Sequence, residues 1–318
     1  MKILVTDNMN AQALDMLRKD FQVDLRTGLN EDQLVSLIPD YEVLLVRSSV
    51  KVTERVIKAG TKLKIIGRPG VGVDNIDVKA ATAENIAVIN TPLGNINAVA
   101  EYTFALMLSL SRNIPKASSA LKDKKLWDRK HVGVELKEKT LGIVGFGNIG
   151  KIVARIAKHG FMMDVITFDP FISEEDAAKH NAKLVELDEL LEKSDFITIH
   201  VPFSEKTKNL ISDSAFAKMK KTARLINAAR GGVVDETALY NALKSGKIAG
   251  AAVDVWAAEP CTNSSLFEFD NVITMPHLGG STIEAQENVA IDIAIHVLES
   301  FRSGMIQYSL NGIKELKE

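Results

Sequence analysis

Short apolar runs alternate with segments in which apolar residues recur every three or four positions, from the start of the chain to about residue 301. The runs predict buried strands and the periodic segments predict amphipathic helices. In the first ninety or so residues, the predicted strands cover 2–6, 21–25, 42–47, 64–67 and 86–90, and the predicted helices cover 10–19, 31–37 and 53–59. Strands that alternate with helices indicate a doubly wound, parallel α/β sheet.

The same alternation resumes at residue 140, after a break at Thr91–Asn95, a long apolar helix predicted over 97–110 and a polar helical stretch predicted over 112–130 that ends around Trp127. The strands predicted here cover 140–144, 164–168, 184–185, 196–200, 224–227, 249–253 and 272–275. The fold class predicted is α/β, with two doubly wound parallel-sheet, Rossmann-like domains. The last helix, about 283–301, and the tail at 306–310 are not needed for the second sheet, so the first domain is expected to be discontinuous, 1–95 with 283–318, around a second domain of 96–282.

Length, composition and charge exclude several classes of protein. A chain of 318 residues, 46% hydrophobic and 25% charged, matches the composition of a globular enzyme or binding protein. Its net charge of −2 argues against nucleic-acid and membrane partners, and no apolar run has the length of a membrane span. The one cysteine, Cys261, allows no internal disulfide, and the first residues lack a signal-peptide pattern, so we expect a cytoplasmic protein.

A glycine-rich loop follows the strand predicted over 140–144. Its sequence is Gly145-Phe146-Gly147-Asn148-Ile149-Gly150, and a helix is predicted directly after it. A strand, such a loop and a helix N-terminus together form a site for a dinucleotide pyrophosphate. Asp169 lies 19 residues past Gly150, at the end of the next predicted strand, where a ribose-binding carboxylate is expected. The alternative is a glycine turn that binds no ligand.

Arg47 and Arg68 each follow a predicted buried strand of the first domain. Ligands of open α/β sheets bind beyond the carboxyl ends of the strands. Two guanidinium groups there indicate an anionic ligand, a carboxylate or a phosphate. The alternative is that both are ordinary surface arginines in loops.

Arg230, Glu259 and His277 follow predicted strands of the second domain. A histidine transfers protons near neutral pH, a carboxylate beside it favours the imidazolium, and an arginine can clamp a substrate carboxylate. With a nicotinamide cofactor, this set suits hydride transfer between a 2-hydroxy acid and a 2-keto acid. Taken singly, His277 could be a structural histidine and Glu259 a solvated loop acid. No set of side chains has metal-ligand spacing, so no metal is expected.

Together these motifs resemble the D-isomer-specific 2-hydroxyacid dehydrogenase family over essentially the whole chain. The matching segments are Val46–Ser48, Gly67–Asp77, Asn90–Asn95, Gly145–Gly150, Asn227–Gly232, Asp254–Trp256 with Glu259-Pro260, and Pro276–Thr282. The resemblance implies two domains separated by a cleft that holds the active site, with substrate bound by the discontinuous domain and NAD by the other.

The resemblance also implies roles for individual residues. His277 is the implied acid/base, Glu259 its partner, and Arg230 the group that binds the substrate carboxylate and carbonyl. Asp169 is expected at the adenosine ribose and Asp254 near the nicotinamide amide. The full cofactor set implied is Gly145, Gly147, Asn148, Ile149, Gly150, Asp169, Val201, Ala228, Ala229, Arg230, Asp254, His277, Gly279 and Gly280. The substrate set implied is Arg47, Arg68, Val71, Asn95, Arg230 and His277. Asn148 and Val71 depart from residues that many relatives carry.

The activity implied is NAD-dependent oxidation of D-3-phosphoglycerate to 3-phosphohydroxypyruvate, the first step of serine biosynthesis. Hydride would pass from C2 to nicotinamide while His277 takes the hydroxyl proton. Pro170 and Phe171 after Asp169, in place of a basic residue, favour NAD over NADP. The alternatives are a reductase of glyoxylate, hydroxypyruvate or another D-2-hydroxy acid, and a transcriptional corepressor that senses NAD.

The resemblance further implies a homodimer formed through the nucleotide-binding domain, because the family's helices after Asn97 commonly mediate dimers. Arg129 is the candidate to reach a neighbouring subunit's site. Since only 303–318 follows the last predicted helix, no serine-binding regulatory domain is expected.

Overall fold

Two parallel sheets carry the fold in the computed structural model, which describes residues 1–316. The chain divides into two units, Met1–Asn95 with the described part of Ser281–Glu318, and Ile96–Gly280. The first unit contains a five-stranded sheet and the second a seven-stranded sheet, and the strands of each pair in parallel. The predicted fold class of two parallel α/β sheets is confirmed.

The discontinuous unit has strand order β2-β1-β3-β4-β5. Its strands are β1 (Lys2–Val5), β2 (Gln22–Leu25), β3 (Val43–Leu45), β4 (Ile65–Arg68) and β5 (Ala87–Asn90). Its helices are α1 (Ala11–Arg18), α2 (Glu31–Leu37), α3 (Glu54–Ala59), α4 (Val78–Ala83) and α12 (Ile283–Ser303). Successive residues of β1 face opposite sides: Ile3 packs in the cluster that contains α12 residues, and Leu4 packs in the other. Both faces are therefore covered, as a parallel sheet requires.

The segment after α12 covers the outer edge of this sheet. Ser309 forms an antiparallel bridge with Ile89, and the Leu310 N–H donates to the Val88 carbonyl at 2.8 Å. The Asn311 side chain accepts from the Val88 N–H at 3.1 Å. Covering the backbone groups of an edge strand removes a site for pairing with other chains. The segment after α12 therefore packs along β5, the edge strand of the first unit.

The second unit has strand order β12-β11-β10-β9-β6-β7-β8. Its strands are β6 (Thr140–Val144), β7 (Asp164–Phe168), β8 (Lys183–Leu184), β9 (Phe196–Ile199), β10 (Arg224–Asn227), β11 (Gly250–Val253) and β12 (Val272–Thr274). Its helices are α5 (Ile96–Ser111), α6 (Ile114–Lys122), α7 (Asn148–Phe161), α8 (Glu174–Lys179), α9 (Leu187–Lys193), α10 (Asp213–Lys218) and α11 (Glu236–Lys244). The order reverses between β6 and β9, and ligands of such sheets bind at the carboxyl ends beside this switch point.

The polar helical stretch predicted over 112–130 is wrong beyond Lys122, where α6 ends. None of the α6 residues is buried, so the helix gains little stability from packing. Lys125 adopts a left-handed backbone with φ of +54°, which a continuing helix cannot contain. Trp127, in the segment after α6, is 79% exposed.

No helix within residues 1–316 is long and apolar enough to cross a membrane.

Candidate active site

The glycine-rich loop joins β6 to α7 at the switch point of the second sheet. Gly145 has φ of +94°, and a Cβ there would lie 2.8 Å from the carbonyl carbon of His200, so only glycine fits. A Cβ at Gly150 would lie 2.4 Å from the Gly145 carbonyl oxygen. The helix and the strand therefore approach as closely as this motif requires.

Gly147 is the N-cap of α7 and supplies no side-chain cap to its first turn. A Cβ at Gly147 would meet no described atom within 4 Å, so the space above the loop is open. Free N–H groups at the N-terminus of a 14-residue helix attract an anion. These residues fit the pyrophosphate of a dinucleotide.

Asp169 directly follows β7, and its carboxylate lies against the glycine-rich loop. Its Oδ2 accepts from the Phe146 N–H at 2.8 Å, and its Oδ1 accepts from the Phe171 N–H at 2.9 Å. The two bonds fix a negative charge beside the loop, where a ribose-binding carboxylate belongs. The other residues of the implied cofactor set follow the strands on the opposite side of β6: Val201 after β9, Ala228 and Ala229 after β10, Asp254 after β11, and Gly279 and Gly280 after β12.

His277 and Glu259 are in direct contact. The distance between His277 Nδ1 and Glu259 Oε2 is 2.8 Å, and Glu259 Oε1 accepts from the Trp256 N–H at 3.0 Å. Because an ionised carboxylate only accepts, the shared proton belongs to Nδ1, which leaves Nε2 available to a second partner. The His277 side chain is 46% exposed, so solutes can reach it.

The backbone of His277 is left-handed, with φ of +59°. This conformation is uncommon for residues other than glycine and occurs where the surrounding structure enforces it, often at functional sites. The His277 N–H donates to the Asp254 carbonyl at 2.8 Å. The fully buried Asp254 carboxylate accepts from the Leu278 N–H at 2.8 Å and from the Gly279 N–H at 2.9 Å.

Arg230 lies in a partly buried turn after β10. Its Nη1 donates to the Ala229 carbonyl at 2.7 Å, and its own carbonyl accepts from Asn227 Nδ2 at 3.1 Å. A Cβ at Gly231 would lie 1.9 Å from the Trp256 carbonyl oxygen, so this turn packs on the segment that leads to Glu259. The structure therefore gathers the turns that carry Arg230, Glu259 and His277 at one edge of the sheet.

Two residues beside the site are not predicted from the sequence. The Tyr102 hydroxyl donates to Asp254 Oδ1 at 3.2 Å, and nothing in the apolar pattern of α5 signals that contact. His200 lies beside Gly145 after β9, with its Nε2 3.0 Å from Thr198 Oγ1. Burial lowers the pKa of His200 to about 4, so its ring is neutral near pH 7.

The discontinuous unit contains a cavity of about 320 Å³ at the carboxyl ends of β1 and β3. Polar side chains from three segments line it: Asn8, Asn10, Arg47, Gln286 and Glu287. The last two belong to the first turns of α12, a 21-residue helix whose N-terminus carries a partial positive charge. Arg47 is predicted from the sequence, whereas the amide side chains around it are not.

Arg68 occupies a different environment from Arg47 and does not line this cavity. Its guanidinium donates to the Gly72 carbonyl within the same loop. The Val71 carbonyl accepts from Asn90 Nδ2 at 2.6 Å, and Asn95 Oδ1 is buried with no hydrogen-bond partner within residues 1–316.

Residues 104–279 match the NAD-binding domain of the D-isomer specific 2-hydroxyacid dehydrogenases. The chain is 50% identical over 294 residues to a D-3-phosphoglycerate dehydrogenase of Synechocystis, covering 92% of this chain and 53% of that protein. It is 44% identical over 313 residues to the D-3-phosphoglycerate dehydrogenase of Archaeoglobus fulgidus, covering 98% and 59%. The chain thus spans little more than half the length of these relatives.

The fold also matches solved structures. The D-lactate dehydrogenase of Aquifex aeolicus, in complex with NAD and lactic acid, superposes with a TM-score of 0.83 at 28% identity, covering 96% of each chain.

Proposed function

Because this chain belongs to the D-isomer-specific 2-hydroxyacid dehydrogenase family, we propose that it oxidises D-3-phosphoglycerate to 3-phosphohydroxypyruvate with NAD, the first step of serine biosynthesis. The observation that carries the proposal is the His277–Glu259 pair, 2.8 Å apart at the carboxyl edge of an NAD-binding sheet. The chain's similarity to two proteins named D-3-phosphoglycerate dehydrogenase supports the choice of substrate.

In the proposed reaction, the substrate is oxidised at C2. The C2 hydroxyl proton passes to Nε2 of His277, the C2–H bond breaks, and a carbonyl forms. NAD supplies the acceptor for the hydride that leaves C2. Glu259 accepts the Nδ1–H bond, which fixes the ring and stabilises the imidazolium as it forms. Arg230 binds the substrate carboxylate and the developing carbonyl oxygen, which orients C2 for the transfer.

Recognition of the phosphate is assigned to the discontinuous unit. Arg47 is the cationic side chain of the 320 Å³ cavity, which also receives the N-terminal end of α12. A guanidinium and a helix N-terminus both favour an anion. Arg68, Val71 and Asn95 are proposed to support the same substrate from the neighbouring loops.

Glu287 favours a second candidate function. Its carboxylate lines the same cavity as Arg47 and opposes a doubly charged anion there. A D-2-hydroxyacid reductase acting on glyoxylate, hydroxypyruvate or a similar unphosphorylated acid needs no phosphate site. The charge on the substrate therefore separates the two functions.

Replacing Arg47 with alanine should lower kcat/KM for the phosphorylated hydroxy acid about 10–100-fold, because the phosphate loses its hydrogen bond from a charged guanidinium. Arg47→Lys, which keeps the charge, should lose less. Steady-state rates with glycerate and phosphoglycerate check this. If Arg47→Ala lowers both rates equally, Arg47 does not recognise the phosphate.

We also propose that the protein is a homodimer formed through its second unit. Large apolar side chains are exposed on α6 and the segment after it: Ile114, Leu121, Leu126, Trp127 and Val132. Large exposed apolar side chains concentrated in one segment favour an interaction surface there. In sedimentation experiments, Trp127→Glu should shift the protein towards monomer while Leu25→Glu, in the first unit, should not. A wild-type monomer at micromolar concentration would contradict this assignment.

A further inference from the structure

We propose that Tyr102 is a positioning residue that holds the Asp254 carboxylate and, through it, the turn that carries His277. The inference rests on the proposed role of His277 as acid/base. Tyr102 lies on α5, and its hydroxyl donates to Asp254 Oδ1 at 3.2 Å. The Tyr102 ring also borders the same turn, since a Cβ at Gly279 would lie 3.8 Å from Tyr102 Cδ1.

Asp254 holds the backbone of the turn that carries His277. It is 0% exposed, and its carboxylate accepts two consecutive N–H groups, those of Leu278 and Gly279. A buried carboxylate is tolerated only when donors surround it. The Tyr102 hydroxyl is the side-chain donor of this set, and it shares Oδ1 with the Leu278 N–H.

The contacts from Asp254 matter for His277 because its backbone is left-handed. A non-glycine residue keeps such a conformation only where its surroundings over-determine it. Glu259 orients the ring of His277, whereas Asp254 holds the backbone on both sides of the residue, through the N–H of His277 and the N–H groups that follow. Loss of one donor to Asp254 therefore loosens the turn without touching the His277–Glu259 contact.

The hydroxyl of Tyr102 is suited to a permanent donor role. Burial, reinforced by the nearby Asp254 charge, raises the pKa of Tyr102 well above its ordinary value. The hydroxyl therefore remains protonated over the working pH range. Tyr102→Phe removes this donor and keeps the ring, which packs against the hydrophobic core of the second unit.

Thr103→Val is the matched control. Thr103 is the next residue of α5, is fully buried, and bonds through Oγ1 to the Val99 carbonyl at 2.9 Å. Thr103→Val, like Tyr102→Phe, removes one side-chain hydroxyl from α5, but this hydroxyl does not bond to Asp254.

Amide hydrogen exchange in the protein without cofactor tests the contact independently of turnover. Exchange at Leu278 and Gly279 should be about 3- to 30-fold faster in Tyr102→Phe than in the wild type, and unchanged in Thr103→Val. If both amides of Tyr102→Phe exchange at the same rate as in the wild type, the proposal is overturned.

Kinetics then test the link to His277. Tyr102→Phe should lower kcat about 3- to 10-fold with KM for the hydroxy acid nearly unchanged, and should cause no further loss in a His277→Ala background. An equal loss in that background would show that Tyr102 does not act through His277. Absence of turnover in the wild type would reject the proposed function, whereas the exchange result would still decide the role of Tyr102.

Discussion

Replacement of His277 by alanine should lower kcat for hydroxy-acid oxidation by about 10²–10⁴-fold, the range ascribed to a positioned general base. The C2 hydroxyl then loses the group that accepts its proton. NAD binding should persist, because the glycine-rich loop and Asp169 are held by contacts that do not involve the imidazole. Single-turnover rates and NAD titration by fluorescence measure the two effects separately.

Glu259→Gln serves as the graded control for His277→Ala. The glutamine keeps the shape of the side chain but loses the charge that favours the imidazolium. Its kcat should therefore fall less than that of His277→Ala. A His277→Ala variant with wild-type turnover would remove His277 from the proton transfer.

Arg230→Ala should lower kcat/KM by about 10²–10³-fold, the effect of removing a donor aimed at developing charge on a substrate oxygen. The Arg230 turn is held by its own backbone contacts, among them the bond from Asn227 Nδ2 to the Arg230 carbonyl. The substitution should therefore leave the fold intact. Steady-state kinetics with circular dichroism as a check on folding provide the measurement.

Arg230→Lys distinguishes geometry from charge. Lysine retains the positive charge but cannot make a bidentate contact with a carboxylate. It should recover only part of the loss. Full activity in either variant would assign the carboxylate clamp to another residue.

The parts of the site predicted from sequence are those that depend on local patterns. Gly145 and Gly150 each meet a steric or conformational demand within one strand–loop–helix unit, and Asp169 follows at a fixed spacing. His277 and Glu259 follow neighbouring parallel strands, so the topology alone brings their turns to one edge. The contact between their side chains could not be predicted from the sequence and is seen only in the structure.

Other features could not be predicted because they depend on packing between distant segments. The Tyr102–Asp254 bond joins residues 152 positions apart, and in sequence Tyr102 is one aromatic residue in an apolar helix. Arg47 and Arg68 occupy equivalent positions after predicted strands, yet only Arg47 lines the cavity. The end of α6 was missed because no glycine or proline follows Lys122 before Gly133 to mark it in the sequence.

The most direct test of the proposed function is a set of initial rates with 2-hydroxy acids that do and do not carry a phosphate, each with NAD and with NADP. We expect the highest kcat/KM with D-3-phosphoglycerate and NAD, and a lower value for D-glycerate and D-lactate. A preference for an unphosphorylated acid would contradict the assignment of D-3-phosphoglycerate and favour the reductase alternative.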